Sequence, residues 1–508
     1  MRNASKVAYF YIKNWIYDYP QQFWHRNPAL LLGLICLLGT AAGINWDPIY
    51  FLLIPWLMTT KYRFLLIATA LSLLSFFWAS SHARHTRLSL QPLSGEGLFH
   101  IDQLSVQQSP FGRSFHYKGT LKWFEGSGGE RFLNLPCHIF CPLSQHAPSA
   151  DKDYLITGTL LQKKERVFSL KPDKKIPWKA VEDSWSIAAW RYRAKHTVSF
   201  FIKQHIQDAP SATFLSALIT GEIDERNLRL DFGRLGLQHI LAISGFHFSF
   251  FALALNVLLR PFVSFRIRII LLVSCLTLYF FFLGNAPSIL RAYAAISIFF
   301  TGQYINRRAI GLNTLGVALI LELLIDPLTV TQLSFQLSFL CTLALLLLYP
   351  FTHSIIHFVL PQRTKNEVLM MSRFHQHGYL LSSLLRKVLS LNISVHLLSL
   401  PVLLFLFHRF PLLSLIYNLF FPFCVMLSLS LFCIALILSI CPPLSAWIHA
   451  LNSMWTAELL ELTSHPPAYF DCVIHCNALT FVQVVLCLSI LFYVGMNFSM
   501  KQRLESVV

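Results

Sequence analysis

Charge is what this chain has least of. Only 13 % of its 508 residues are charged, and 24 are acidic, whereas an ordinary soluble domain carries about 25 % charge. That scarcity excludes a soluble globular enzyme of the usual kind. The Gly-rich P-loop pattern is missing too, so any transport energy has to come from a partner or a gradient. Eleven cysteines include no C-x-x-C pair, which removes the common zinc frameworks; most sit in apolar runs, where Cys behaves as a small hydrophobe. Residues 1–27 are mixed and aromatic, not the pattern of a cleaved signal peptide. What is abundant is apolar sequence, 55 % of the chain. Its many long runs imply a mainly α polytopic membrane protein with about nine to twelve membrane segments of roughly 20 residues each. The net charge of +17 suits a membrane surface or a polyanion, and part of it marks cytoplasmic loops.

One stretch departs from plain lipid anchoring. Residues 237–260, LQHILAISGFHFSFFALALNVLLR, could cross a bilayer, yet the first half carries His239, Ser244, Gly245 and His247. At about 100° per residue on an ideal helix, His239, His247 and Ser244 fall at about 0°, 80° and 140°. They share one broad side, which should face something hydrated. Bonding to neighbouring helices is the plainer alternative for each residue alone. The run GLQHILAISGFHFSF resembles the H-L-L-A-[IV]-S-G-L-H core of the competence-protein ComEC family, the channel that brings transforming DNA across the cytoplasmic membrane. Phe246 stands where that family usually has Leu.

Ahead of this stretch the chain divides in three. Residues 1–80 hold about three membrane segments, and the basic residues near the N-terminus with Lys61 and Arg63 place that end inside. Residues 81–184 change to short alternating runs such as FHYKGTLKWF (115–124), the pattern of a small all-β domain. Its place outside the membrane is similar to the family's extracytoplasmic OB-like β-barrel module. Such folds bind single strands by aromatic stacking beside basic groups, so Tyr117, Lys118, Lys122, Trp123 and Arg131 are candidate contacts for single-stranded DNA; core aromatics and solvated lysines are the alternative. Cys137 and Cys141, like Cys472 and Cys476, form a C-x-x-x-C pair that could bridge within itself or across domains. An extended strand would hold the first pair about 13 Å apart, too far for a bridge, so a turn is required. Residues 185–236 form amphipathic or interfacial helices, lying on the outer surface or docked on the channel mouth.

Residues 237–508 make the membrane core. Arg260, Arg266 and Arg268 mark an inner loop, and GNAPS (284–288) an outer turn. The following P-S-x-x-R-A resembles a family element, with Arg291 one turn into its span, able to hold phosphate or to snorkel. LTVTQLSFQLSF resembles the family's F-Q-L-S-F element; Gln332 and Gln336 share a face and, with Ser338, suggest a wetted wall. Residues 351–390 form a basic, cytoplasmic loop. Arg409, Phe410, Asn418, Leu419 and Pro422 match a further family element, and Asn418 with Pro422 suggests a broken or re-entrant helix lining a cavity. Lys501 and Arg503 place the C-terminus inside.

The resemblance implies import of single-stranded transforming DNA, along a path through His239, Ser244, Gly245, His247, Arg291, Gln332, Gln336, Ser338 and Asn418. It further implies membrane lipids, a DNA receptor outside and an ATP-driven motor inside as partners. Many members add a metallo-β-lactamase-like domain. Here FHQHG (374–378) keeps only the first two histidines of H-x-H-x-D-H, so the expectation is a short form that is not an enzyme and uses no cofactor or metal. Two alternatives remain. One is a transporter of another polar or lipid-linked solute. The other is a membrane enzyme using His239, Ser244 and His247, in which Ser and His act as nucleophile and base.

Overall fold

The computed structural model describes residues 19–45, 62–84, 92–109, 112–142, 148–164, 167–182, 184–223, 225–243, 245–466, 473–475, 477 and 479–505. The expected short second segment, residues 49–59, lies outside them, as do Ser244, Cys472 and Cys476.

Helices dominate because most of the chain is continuously apolar, and only a helix satisfies its own backbone in lipid. After α1 (Tyr19–Arg26) come α2 (Pro28–Asn45) and α3 (Tyr62–Arg84). Helix α2 opens on a proline, which a first helical turn tolerates, and is apolar all round. Its Gly33 meets Gly316 of α11 (Gly311–Ile325): a Cβ on Gly316 would collide with the Ala29 backbone, so the two backbones touch directly. Small residues permit that approach between membrane helices.

A β domain follows, with strands β1 (Leu93–Ser109), β2 (Gly112–Gly126), β3 (Arg131–Pro142), β4 (Asp153–Lys164), β5 (Val167–Pro172) and β6 (Lys179–Val181). The sheet runs β1-β2-β3-β5-β4-β6, and β1 also pairs with β4, so the ladder returns on itself. All pairings are antiparallel except β3 with β5. Strand alternation sends Phe99, Tyr117, Leu121, Phe124, Ile139 and Phe168 into one buried core. Along β2 the register slips so that Lys122 is an extra residue between Leu121 and Trp123, a bulge that re-aims its side chain.

Helix α4 (Ala188–His205) ties this domain to the membrane core. Arg191 donates from Nη1 to the Asp102 carbonyl and from Nε to the Phe281 carbonyl, each 2.8 Å. Lys195, buried, donates to the Leu283 carbonyl at 3.1 Å and pairs with Glu222 at 3.3 Å. Two cations thus sit on the last carbonyls of α9 (Phe265–Leu283), the negative end of its dipole. The helix is therefore docked on the core, not laid on a free surface. Helices α5 (Ala209–Thr220) and α6 (Arg226–Arg234) lead on from it.

The stretch expected as one span is broken. Residues Gln238–Leu241 form the single turn α7, Ala242 is extended at φ −75° and ψ 130°, and α8 runs from Gly245 to Leu259. The shared face drawn on one ideal helix therefore does not exist. Then come α9, α10 (Pro287–Tyr304), α11, a 3-10 turn (Pro327–Thr331) and α12 (Leu333–Leu347), bent by 55° into α13 (Tyr349–Val359). Pro350 at the start of α13 cannot continue the hydrogen-bond ladder and explains the bend. The expected loop 351–390 is largely helical: α13, α14 (Lys365–Leu369) and the first half of α15 (Arg373–Phe407) occupy it. Arg386 is buried there, donating from Nη1 to the Leu360 carbonyl at 2.9 Å.

Helix α16 (Ser414–Ile437) is continuous, with Pro422 inside it. The expected break at Asn418 and Pro422 is absent; the proline only deprives the carbonyl four residues back, that of Asn418, of its intrahelical donor. Helices α17 (Pro442–Ser464) and α18 (Phe481–Glu505) close the chain, and β7 (Arg409–Pro411) pairs with β8 (Val473–His475) beyond the ends of α15 and α17. Among the described residues five helices are long and apolar enough to cross a membrane, or six with the bent pair, and shorter apolar helices include α5, α8 and α11. This is mainly helical architecture with one small sheet domain.

Candidate functional site

Three elements singled out in the sequence meet at one point. Ser288, next to the proline that opens α10, donates to the Ile243 carbonyl at 3.0 Å and so holds the break between α7 and α8. One turn on, Arg291 donates from Nε to Ser338 Oγ of α12 at 2.7 Å. Its Nη2 lies 3.5 Å from where a Cβ on Gly245 would stand, with the Ala292 side chain at 3.8 Å. The guanidinium therefore packs on the first residue of α8, where the helix dipole is positive. Among the described residues Nε is its one hydrogen-bonded nitrogen. Glu322 of α11, 3 % exposed and without a hydrogen-bond partner for Oε2 among the described residues, and Cys341 of α12 lie within electrostatic reach of it. The two acid-free helix starts, Gly245 and Pro287, and the glutamate near the end of α11 all lie at one end of the bundle.

Gln336 does not extend this cluster, because its Nε2 turns back to the Val330 carbonyl at 2.9 Å. Gln332 is the extended residue before α12. Both are exposed, but they do not share a helical face, since only Gln336 is helical.

The histidines form a second group. His239 is solvent-accessible on α7 and lies within electrostatic reach of buried His247 and of His396 on α15. His396 Nδ1 is 2.9 Å from the Asn392 carbonyl, and Nε2 is 3.4 Å from Ser414 Oγ. A carbonyl only accepts, so Nδ1 carries the proton and Nε2 receives the serine hydroxyl. Asn418, one turn along α16 from Ser414, has a buried Oδ1 without a hydrogen-bond partner among the described residues. His396 and Ser414 belong to this polar belt although sequence reasoning left them out of it; the signal was a lone His in an apolar run, which spacing alone cannot pair with a residue on another helix.

In the β domain the candidate contacts separate. Tyr117 is fully buried and donates to the Pro148 carbonyl at 2.9 Å; it is core, and burial pushes its phenol above the ordinary range. Lys122 is ion-paired with Asp153 at 2.6 Å. Burial opposes charge on Asp153, but Lys122 and His100 outweigh it and hold the carboxyl below its usual range. Arg131 covers the Trp123 ring at 5.9 Å. Lys118 is exposed. Beside it on the same face His116 stacks on Phe140 (4.5 Å, 7°) and on His138 (5.0 Å, 9°). The sequence signal for that aromatic ledge is the alternation of HYK and HIF against buried neighbours. Cys137 and Cys141 are buried free thiols on the extended strand β3, so the possible bridge between them is not formed. Burial pushes them up to about 12 and about 11.

Comparison with known proteins agrees with these motifs. The family model described as competence protein matches residues 218–501, which is more than half of the chain. ComE operon protein 3 of Bacillus subtilis (strain 168) is 27 % identical over 239 residues, covering 46 % of this chain and 27 % of that relative. The aligned part thus spans about a quarter of the relative's length. No solved structure matches.

Proposed function

The chain belongs to the competence protein family, and from that premise we propose that it forms the route by which single-stranded DNA crosses the cytoplasmic membrane. The observation that carries this is the meeting of Gly245, Arg291 and Ser338 at a broken membrane helix. A phosphate backbone needs fixed positive groups in a hydrated, interrupted part of the bundle. Arg291 supplies a guanidinium held at Nε, leaving the two terminal nitrogens to grip one phosphate by paired hydrogen bonds. Ser338 and Gly245 position it, and the polar belt through His239, His247, His396 and Asn418 continues the wall.

The closed strand order, with β3 and β5 parallel, supports an OB-like barrel as the receiving domain, where Lys118 and the His116–Phe140 ledge would meet a single strand. Positive-inside counting supports an extracytoplasmic β domain and cytoplasmic termini. In this reading the segments conduct and do not cleave. A receptor outside delivers the strand, and a motor inside pulls it.

The decisive test measures internalised labelled DNA in a strain carrying Arg291→Gln at wild-type abundance. A severe loss is expected. Import equal to wild type would leave Arg291 a structural tie between α10 and α12 and remove the reading.

A further inference from the structure

At the other end of the same bundle three helices part. Near Gly284, helices α8, α9 and α10 close on a core of Phe248, Leu276, Leu283 and Ile289. Toward Arg268 they splay and leave a cavity of about 320 Å³ among them. Its walls are apolar, with Ala252, Leu272 and Phe299 among them; its polar side chains are chiefly Asn256, Arg268 and Gln303, one from each helix. Phe299 and Leu253 are exposed on its flank, as are Val257, Ile267 and Ile270 on the neighbouring turns, so the cavity opens sideways toward hydrocarbon and away from the polar belt.

The charge around it has one sign. Between residues 237 and 310 there is no Asp or Glu. Arg260 follows the end of α8, Arg266 opens α9, Arg307 and Arg308 follow the end of α10, and Arg268 lines the cavity itself. Among the described residues the Arg268 guanidinium makes a single contact, with the Phe265 ring at 5.5 Å. The side chains of Asn256 and Gln303 likewise have no hydrogen-bond partner there. An arginine and two amides at the mouth of an apolar slot, without an acid to neutralise them, match an amphiphile with an anionic head.

We propose that this cavity binds one anionic phospholipid, with an acyl chain among Ala252, Leu272 and Phe299 and its phosphate on Arg268, Asn256 and Gln303. Basic pockets between membrane helices on the cytoplasmic side recognise such headgroups, and a guanidinium grips phosphate through paired donors. A nucleic acid would bring phosphate but nothing to fill the apolar slot. The site stands independently of the DNA route, since it shares none of that route's residues.

The test uses the full chain in lipid nanodiscs made with phosphatidylglycerol or phosphatidylcholine, each doped with the same lipid carrying a diazirine at the head-proximal end of one acyl chain. After irradiation, labelled peptides are mapped. In phosphatidylglycerol, labelling concentrates within residues 265–272 and 296–303, about fivefold above the phosphatidylcholine discs, the scale one basic residue sets at a membrane. Arg268→Gln collapses that preference while leaving general labelling of the lipid-facing surface intact. Ser249→Trp fills the slot and removes the concentrated label; should that variant aggregate, Arg268→Gln alone decides. Equal labelling with both headgroups, a preference unchanged in Arg268→Gln, or displacement of the label by a single-stranded oligonucleotide each overturns the proposal.

Discussion

Arg291 and Ser338 stand 47 positions apart on different helices, yet Nε and Oγ are 2.7 Å from each other. This bond fixes the plane of the guanidinium against Gly245, where the span is interrupted. A snorkelling arginine would point to the headgroups; this one is tied across the bundle.

Graded replacement should expose what the tie is for. Arg291→Lys keeps charge but loses the fork, so import falls modestly; Arg291→Gln falls severely, and Arg291→Glu abolishes it. Ser338→Ala leaves a polar Nε unpaired, a cost of about 1–3 kcal/mol, and should lower import about tenfold. Raising external salt weakens wild type more than the Gln variant, because fewer counterions are released when a phosphate contact is missing. Uptake of labelled DNA at matched expression measures all four.

Gly316 makes a structural prediction. A side chain there meets the Ala29 backbone, and neither backbone can yield without separating α2 from α11. Gly316→Val should lower the thermal unfolding midpoint in detergent by the equivalent of about 1–3 kcal/mol, the usual overpacking cost. Gly378→Ala, where no atom lies nearby and helix α15 favours Ala over Gly by about 1 kcal/mol, should not lower it.

Asp153 ties β4 to Lys122 on β2 and His100 on β1. Its folded-state pKa lies below the ordinary carboxylate value, so the folded form binds this proton less tightly than the unfolded chain. The contribution is therefore present above the ordinary value, near pH 4, and is lost as pH falls through the depressed one. Asp153→Asn should speed hydrogen exchange in β4 at neutral pH and flatten the acid dependence of that exchange. Unchanged exchange would mean that the triad of His100, Lys122 and Asp153 contributes nothing measurable to β4.

Thiol labelling tests the side of the membrane. Cys137 and Cys141 are buried with pKa values pushed up to about 12 and about 11, so an impermeant maleimide should not touch them in folded protein. Ser127→Cys, at the exposed β2–β3 tip, should react in intact spheroplasts, and exposed Cys441 only in inverted vesicles. The opposite pattern would invert the topology.

Apolar runs, basic loops and strand alternation are local properties, so the helical membrane class, the β domain and the family elements around Gly245, Arg291 and Ser338 were legible in the amino-acid sequence. Periodicity on one helix was not a safe guide to faces. Ideal helical periodicity puts His239 and His247 on one side of a continuous span, but the extended backbone at Ala242, held through Ile243 by Ser288, divides it. Pro422 suggests a break and instead sits within α16, because Tyr417 and Phe421 before it and Val425 and Leu429 after it are buried in one core and hold the helix through one missing hydrogen bond. Tyr117 could not be told from a surface aromatic until the closed sheet showed which face was filled. Which helix answers Arg291, which histidines adjoin, and where α8, α9 and α10 part are all contacts between distant segments. They depend on how side chains of different helices fill a common volume, and only the tertiary structure decides that.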